Sequence, residues 1–233
     1  MVLNLTNLKK LVPGVLAIGA MLSATSANAQ VFLAPNTGAT AIGTVGFFGG
    51  SQVGGTLSSS FTFTSGPTTI AGTIRSIVFT GGSAGANGTG GTSNDFYYQI
   101  DMNAGSDALQ STSVASFLGF NTGLGNVITD VDGAGPFVAG GTVALTGQRN
   151  FTGSGLVFDF GAGVAAGATS ATLVVRTNAT SVTNGSAGLL GASGVAANAA
   201  ILAPLATANG PEPGTLALVG LGIAGLVARR RKH

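Results

Sequence analysis

The chain has 233 residues and a formal net charge of +2; only 7% of its residues are charged, and it contains one histidine, no cysteine and no tryptophan. It therefore has no thiol for covalent catalysis or metal ligation and no disulfide. The histidine is His233, and residues 30–210 contain neither histidine nor lysine to act as base for a serine nucleophile. The same residues hold three arginines and six aspartates, a net charge of −3, which excludes the basic surface that nucleic-acid binding requires.

Residues 1–29 have the composition of a secretory signal peptide. Two lysines form a positively charged start, a twelve-residue apolar stretch follows at residues 11–22, and Ala27 and Ala29 supply the small residues of a cleavage site. The apolar stretch is shorter than the ~20 residues that a permanent transmembrane helix needs. We predict cleavage between Ala29 and Gln30, which makes Gln30 the first residue of the exported protein.

The next part of the chain, residues 31 to about 187, is predicted to form short β-strands separated by turns rich in Gly, Asn and Ser. In residues 95–102 apolar side chains alternate with polar ones, which places Tyr97 and Tyr98 on opposite faces and indicates a half-buried strand. Runs of β-branched residues bounded by Gly or Asn indicate the others. The predicted strands are residues 41–48, 56–64, 73–80, 95–102, 112–120, 126–130, 137–145, 156–160 and 171–177.

No segment before residue 211 has a sustained helical pattern with caps, so we predict an all-β fold. Its predicted form is an antiparallel β-sandwich of jelly-roll or Ig-like kind at residues 30–188. A Gly-rich loop is expected at residues 80–93. Residues 189–210 are rich in Ala, Gly and Asn, and we expect a last strand near residues 199–202 and then a linker.

Residues 211–233 combine three features. Pro211, Glu212 and Pro213 form a tripeptide that the two prolines keep extended and accessible to a processing enzyme. An apolar run follows at residues 215–228 and is predicted to form a short transmembrane helix of marginal length. The cations after it are expected to stay on the cytoplasmic side during export. The predicted helix runs from Leu216 to Ala228, and the basic tail consists of Arg229, Arg230, Arg231 and Lys232.

The tripeptide, the apolar run and the basic cluster, in this order, resemble a PEP-CTERM sorting signal over residues 211–233. The resemblance implies a bacterium of Gram-negative type and recognition by an exosortase, an integral-membrane cysteine protease or transpeptidase. It also implies removal of the segment and release or attachment of the body at the cell surface, often together with exopolysaccharide. Some ice-binding proteins carry the same segment, which is sometimes labelled the ice-binding protein C-terminal domain; that label describes the segment and not an activity of the body.

Asp130 and Asp132 are the candidate metal ligands, because two carboxylates at this spacing before a glycine occur in the first half of calcium loops. The later positions of a complete loop lack oxygen ligands here. A calcium site would therefore need tertiary ligands such as Asp101 or Asp107. The alternative interpretation is an ordinary Asx turn, which is the more frequent use of such a sequence.

Other candidate sites have weaker support in the sequence. Glycoside hydrolysis needs two carboxylates in a cleft, but two tyrosines on opposite faces form no aromatic platform for a sugar. Ice binding needs an array of threonines, and Thr62 and Thr64 form the one Thr-x-Thr pair on a predicted strand. Three arginines could bind an acidic polysaccharide: Arg75, Arg149 and Arg176. Arginines on strands more often pair with nearby aspartates. Sequons, several of which are expected by chance in such a chain, begin at Asn87, Asn150, Asn178 and Asn184.

We expect a non-catalytic, exported and surface-sorted protein of the cell envelope or exopolysaccharide matrix, with no cofactor. Its expected partners are signal peptidase and exosortase as processing enzymes, the membrane before processing, and exopolysaccharide. A polysaccharide-binding or ice-binding module is an alternative, which requires an aromatic or Thr-lined patch on one sheet. An Asp-dependent hydrolase is a further alternative, which requires two aspartates that converge in a pocket.

Overall fold

The computed structural model describes residues 30–85, 88–133 and 135–205, which form fourteen β-strands and no α-helix. The strands are β1 (Val31–Phe32), β2 (Thr40–Ala41), β3 (Thr44–Val45), β4 (Ser51–Gln52), β5 (Leu57–Ser65), β6 (Thr68–Thr80), β7 (Asn94–Met102), β8 (Leu109–Val114), β9 (Thr122–Val127), β10 (Thr146–Arg149), β11 (Leu156–Val164), β12 (Thr172–Thr177), β13 (Val182–Gly191) and β14 (Ala196–Pro204). The predicted all-β class is confirmed for this part of the chain. It contains no helix long and apolar enough to cross a membrane. The predicted signal peptide and C-terminal apolar helix lie outside the described residues.

The strands form two sheets. Sheet A has the order β1-β9-β12-β7-β6-β4, with β3 also paired to β9 and β5 to β6. Sheet B has the order β14-β13-β8-β11-β10-β2. Neighbouring strands are antiparallel, except that β3 runs parallel to β9. The predicted antiparallel arrangement therefore holds for both sheets apart from this one short pair.

One hydrophobic core lies between the two sheets. Sheet A contributes Ile74 and Tyr98, sheet B contributes Phe158 and Ile201, and all four side chains are fully buried. Successive residues of a strand point to opposite faces, so the alternating apolar positions of each sheet fill this shared layer. The shared core supports the packing of one sheet on the other that the sequence predicted.

The outer face of sheet A is partly covered by its own loops. A second cluster there contains Tyr97, with Phe137 from the connection between β9 and β10 and Phe47 from the connection between β3 and β4. The prediction that Tyr97 and Tyr98 point to opposite faces is confirmed. The prediction that β7 is half-buried is wrong, because these loops also bury its polar face, including Gln99.

The connection at residues 137–145 corrects a predicted strand. It forms one isolated bridge, from Thr142 to Ser170, and no strand. Scattered backbone hydrogen bonds hold it, such as the 2.7 Å bond from the Leu145 N–H to the Asp159 carbonyl, together with two buried side-chain amides. Gln99 exchanges hydrogen bonds of 2.8 and 2.9 Å with the backbone of Val138. Asn126 and Ala144 make an equivalent pair, with both bonds 2.9 Å long. The alternation in residues 137–145 predicts a strand, but it does not reveal that side-chain amides bind part of its backbone.

The last two strands continue sheet B beyond residue 188, where the β-sandwich was predicted to end. Residue 188 falls inside β13, and β13 pairs with β14 over Val182–Pro204, so the sheet continues through most of the segment predicted as a separate Ala/Gly/Asn-rich region and linker. β14 does alternate: Ala197 and Ala199 are buried between exposed neighbours, and Ile201 is buried between exposed Ala200 and half-buried Leu202. Alanine has a low strand propensity and little apolar area, so the pattern gave a weak signal.

We expect Ile201→Ala to lower the free energy of unfolding by about 2–5 kcal/mol, because it leaves a cavity in the shared core. Asn198→Ala is the matched control on the exposed face of β14 and should change this free energy by less than about 0.5 kcal/mol. Denaturant unfolding followed by circular dichroism measures both. Small, equal effects would show that β14 does not belong to the core.

Candidate functional site

The hairpin formed by β5 and β6 presents rows of hydroxyl groups on the outer face of sheet A. Ser60 lies opposite Thr73 and Thr64 opposite Thr69 in the strand register, and the hydroxyl oxygens of Thr64 and Thr69 are 2.8 Å apart. Phe61 points the other way and is buried in the shared core. We call this surface the hydroxyl face; its members are Ser58, Ser60, Thr62, Thr64, Thr69 and Thr73.

An ion pair borders the hydroxyl face on the side of β7. Arg75 contacts Asp101, with 20% and 30% of the two side chains exposed, and the Thr169 hydroxyl donates a hydrogen bond of 2.6 Å to Asp101. Side chains on one face of a sheet repeat at ~4.8 Å across strands and ~6.8 Å along them. The surface therefore offers nearly neutral donors and acceptors at regular spacing, suited to hydrogen bonding with another hydroxyl-rich surface.

Only Thr62 and Thr64 of this surface were identified from the sequence. The alternation of hydroxyl residues in the sequence of β5 extends beyond that pair, because Ser58 and Ser60 continue the same period of two. The threonines on β6 could be assigned to the same face only from the register of the hairpin. The structure thus enlarges one Thr pair into a two-stranded surface.

The candidate calcium ligands Asp130 and Asp132 lie in a turn. One carboxylate oxygen of Asp130 accepts hydrogen bonds of 3.0 Å from the backbone N–H groups of Asp132 and Gly133, the geometry of an Asx turn. These bonds lower the pKa of Asp130, while partial burial raises the pKa of Asp132. Within the described ranges, no three His, Cys, Asp or Glu side chains come together to hold a metal ion.

The two proposed tertiary calcium ligands have other partners. Asp101 pairs with Arg75 at the border of the hydroxyl face. Asp107 accepts hydrogen bonds of 2.9 and 2.6 Å from the backbone N–H and the hydroxyl of Ser193, in the turn between β13 and β14. These bonds lower the pKa of Asp107. The structure therefore does not bring either residue to the Asx turn.

A buried ion pair lies beneath the Gly-rich loop at residues 81–93. Arg176 donates a hydrogen bond of 3.0 Å to Asp95, and both side chains are 2% exposed. The guanidinium lies 3.9 Å from the ring centroid of Phe48, a cation–π contact. A Cβ on Gly90 would overlap the guanidinium, and this residue also has a positive φ of 70°. Glycine at this position therefore lets the loop close over the arginine.

The buried pair has an incomplete set of hydrogen bonds. One carboxylate oxygen of Asp95 and the hydroxyl of Tyr97, on the same face of β7, have no hydrogen-bond partner among the described residues. Burial raises the pKa of Asp95 to about 6 despite the opposing effect of Arg176, and burial also raises the pKa of Tyr97. Arg176 is thus enclosed in the fold and does not face a polymer in solution.

Arg149 has no acidic partner in the part of the chain that the structure describes. It is 3% exposed, and its guanidinium donates hydrogen bonds of 2.8–3.0 Å to the carbonyl oxygens of Leu33, Phe117, Phe120 and Gly153. Burial lowers its pKa. A groove of about 530 Å³ opens beside it. The expected pairing with aspartate therefore holds for Arg75 and Arg176, whereas Arg149 fastens loops through their backbone.

The described sequons differ in how their asparagines are held. The side-chain oxygens of Asn150 and Asn178 accept hydrogen bonds of 3.1 and 2.9 Å from backbone N–H groups of Gly155 and Asn121. Asn184 is exposed on β13. Asn87 lies outside the described residues.

The pKa of Asp95 implies a pH dependence of stability opposite to that of an ordinary paired carboxylate. The folded value of about 6 exceeds the 3.8 of the exposed group, so the folded state binds more protons between these two values. The stabilisation from Asp95 is therefore complete below about pH 4 and is lost as the pH rises to about 6.

We expect the unfolding free energy of the wild type, relative to Asp95→Asn, to fall by about 2 kcal/mol between pH 4 and pH 7. Thermal unfolding followed by circular dichroism across this range measures the difference. Asp107→Asn is the control of opposite sign, because the depressed pKa of Asp107 gives a stabilisation that is lost as the pH falls. A pH-independent difference for Asp95→Asn would contradict the prediction.

The match to a known protein family lies in residues 211–232, outside the described part of the chain. These residues match a family model described as the PEP-CTERM protein-sorting motif. No curated protein and no solved structure matches the chain. The motif supports export, processing by an exosortase and sorting to the cell surface. The resemblance found in the sequence is therefore confirmed, and the chain carries a PEP-CTERM protein-sorting motif at residues 211–232.

Proposed function

We propose that the protein is an exported, non-catalytic component of the cell envelope or exopolysaccharide matrix, and that an exosortase removes its C-terminal segment. The observation that carries the proposal is the match of residues 211–232 to the PEP-CTERM motif. Signal peptidase cuts between Ala29 and Gln30 during export. The apolar run from Leu216 to Ala228 then holds the body at the membrane, with the basic cluster on the cytoplasmic side, until the exosortase acts at the tripeptide.

The length of chain between the body and the tripeptide supports this order of events. β14 ends at Pro204, so residues 205–210 separate the sheet from Pro211. A chain of this length spans on the order of 20 Å when fully extended. The folded body therefore stays next to the membrane surface while the segment is attached, which suits an enzyme embedded in that membrane.

The contacts of the aspartates support a non-catalytic body. Asp95 and Asp101 are paired with arginines, Asp107 holds the β13–β14 turn, and Asp130 holds its own Asx turn. These are structural roles in separate sets of contacts, although Asp95 and Asp101 both lie on β7. The core shared by the two sheets supports a β-sandwich of jelly-roll or Ig-like kind for this body.

We expect Glu212→Ala to block removal of the C-terminal segment, because it deletes the one charged group of the recognition tripeptide. The variant should remain in the inner membrane at the mass of residues 30–233. The wild type should be found at the surface or in the medium at a mass corresponding to residues 30 to about 213, with any surface attachment added to it. Intact mass spectrometry of cell fractions measures both.

Asn209→Ala is the control for that experiment, since it changes the chain just before the tripeptide and should be processed like the wild type. Release of Glu212→Ala with normal mass and distribution would contradict the role of the tripeptide. A wild-type protein that keeps residues 214–233 in the inner membrane would contradict exosortase processing as a whole.

A second candidate function is polysaccharide binding at the hydroxyl face. The supporting observation is the register of β5 and β6, which aligns Ser60 with Thr73 and Thr64 with Thr69 beside the Arg75–Asp101 pair. Sugar polymers present hydroxyl groups as both donors and acceptors, which matches this surface. Ice binding is the alternative occupant of the same surface, because its threonines are also the groups that an ordered water lattice would contact.

We expect the triple variant Thr62→Val, Thr64→Val and Thr69→Val to weaken binding to the producing cells' purified extracellular polysaccharide by about tenfold or more, since each lost hydrogen bond contributes about 0.5–1.5 kcal/mol. Co-sedimentation measures the affinity. The control is Ser111→Ala with Ser113→Ala, on the groove of sheet B's outer face. Equal weakening by both variants would contradict a specific site. Thermal hysteresis without polysaccharide binding would favour the ice-binding alternative.

A further inference from the structure

The side chain of Gln30 rests on strand β9 of sheet A, over one particular glycine. Gln30 precedes β1, whose Val31 and Phe32 pair with Leu124 and Gly123 of β9. A Cβ on Gly123 would overlap Nε2, Cδ and Cγ of Gln30. The side-chain amide therefore lies directly over the glycine backbone, in a position that any other residue at 123 would fill.

This amide is poorly satisfied where it lies. Nε2 of Gln30 is buried and has no hydrogen-bond partner in the described structure. A primary amide nitrogen carries two N–H donors, and burying such a donor without a partner is unfavourable because its hydrogen bonds to water are lost. The whole end of the side chain is packed over Gly123, and its terminal nitrogen is the polar atom left without a partner.

We infer that Gln30 is converted to an N-terminal pyroglutamate in the exported protein. The inference rests on the cleavage between Ala29 and Gln30 in the proposed function, because only that cleavage creates a free α-amine on Gln30. It names a modification site at the β1 edge of sheet A, next to Gly123.

The reaction is an intramolecular acyl transfer that needs no oxidant or co-reactant. The deprotonated α-amine attacks Cδ of its own side chain, the N–Cδ bond forms, the Cδ–Nε2 bond breaks, and Nε2 leaves as ammonia. An α-amine with a pKa near ~7.7–8 is deprotonated in part at neutral pH, so the nucleophile is available. The product is a five-membered lactam that keeps Cγ, Cδ and the carbonyl oxygen.

The folded structure favours the product in two ways. The atom expelled is the buried nitrogen that has no partner, so the penalty for burying it disappears. The positively charged N-terminus also becomes a neutral lactam N–H, which removes a charge that would otherwise need hydration at the edge of the sheet. The lactam in addition leaves no free amine for an aminopeptidase, so β1 stays intact.

Intact mass spectrometry and Edman degradation of the undigested protein, isolated cold at neutral pH from its own cells, test the inference. We expect a mass that corresponds to a chain beginning at residue 30 less one ammonia, and an N-terminus blocked to Edman degradation. Gln30→Glu keeps the shape of the side chain but has a much poorer leaving group, and it should give a free, sequenceable N-terminus. A synthetic peptide of residues 30–40, taken through the same steps, should stay uncyclised.

The other outcomes separate failure of the inference from failure of the proposed function. A chain that begins at an unmodified Gln30 would overturn the cyclisation and leave export and cleavage intact. A chain that begins at a different residue would overturn the cleavage site and the cyclisation together. Equal cyclisation of the peptide would assign the loss of ammonia to handling and overturn the inference.

Discussion

Strand β7 is buried on both faces, and the rest of the body is arranged around it. Tyr98 faces the shared core, where its hydroxyl donates a hydrogen bond of 2.8 Å to the Leu202 carbonyl and so joins sheet A to β14 of sheet B. Tyr97 faces outward, beneath loops that bring their own aromatic residues. On β6 these loops cover the outer face of sheet A at Phe79 and Ile77. From Arg75 back to Thr69 that face is half-buried, and it continues into the hydroxyl face. The outer face of sheet A is therefore covered where it presents apolar side chains on which the loops can pack, and it is open where it presents polar ones.

The sequence was sufficient where a strand carried bulky residues at a period of two. β7 is of this kind, and both β7 and the β-branched strand β12 were predicted to within one residue of their observed bounds, whereas the strand predicted at residues 73–80 missed the first five residues of β6. It was insufficient where the buried positions are small: β14 buries mainly alanines, and β13 is interrupted by Gly185 and Gly188, so neither has the propensity that identifies a strand. It also failed where burial comes from distant chain segments. Nothing local to residues 95–102 indicates that Phe137 and Phe47 cover their polar face.

The same distinction explains the candidate sites. Asp130 and its Asx turn are local, so the turn could be derived from the spacing of two carboxylates and a glycine. The hydroxyl face is only partly determined by local sequence. The alternation on β5 can be read from the sequence, but which residues of β6 lie beside it depends on the register of the hairpin. The environment of Arg176 is not local, because it requires Asp95, Phe48 and the Gly-rich loop from three parts of the chain. Sequence could propose that an arginine pairs with an aspartate, but it could not say that the pair is buried.

The arginine contacts also restrict how the exported body can associate with a polymer. Arg176 and Arg149 are enclosed by protein, and Arg75 is paired with Asp101 at the surface. Residues 30–210 retain an excess of aspartates, so the body has no cationic patch with which to attract an acidic chain. Attraction between charges is weakened by salt, whereas hydrogen bonds between neutral groups depend on it little. Contacts made through the hydroxyl face would therefore persist in saline surroundings, because their strength depends on the register of β5 and β6 and not on the charge of the protein.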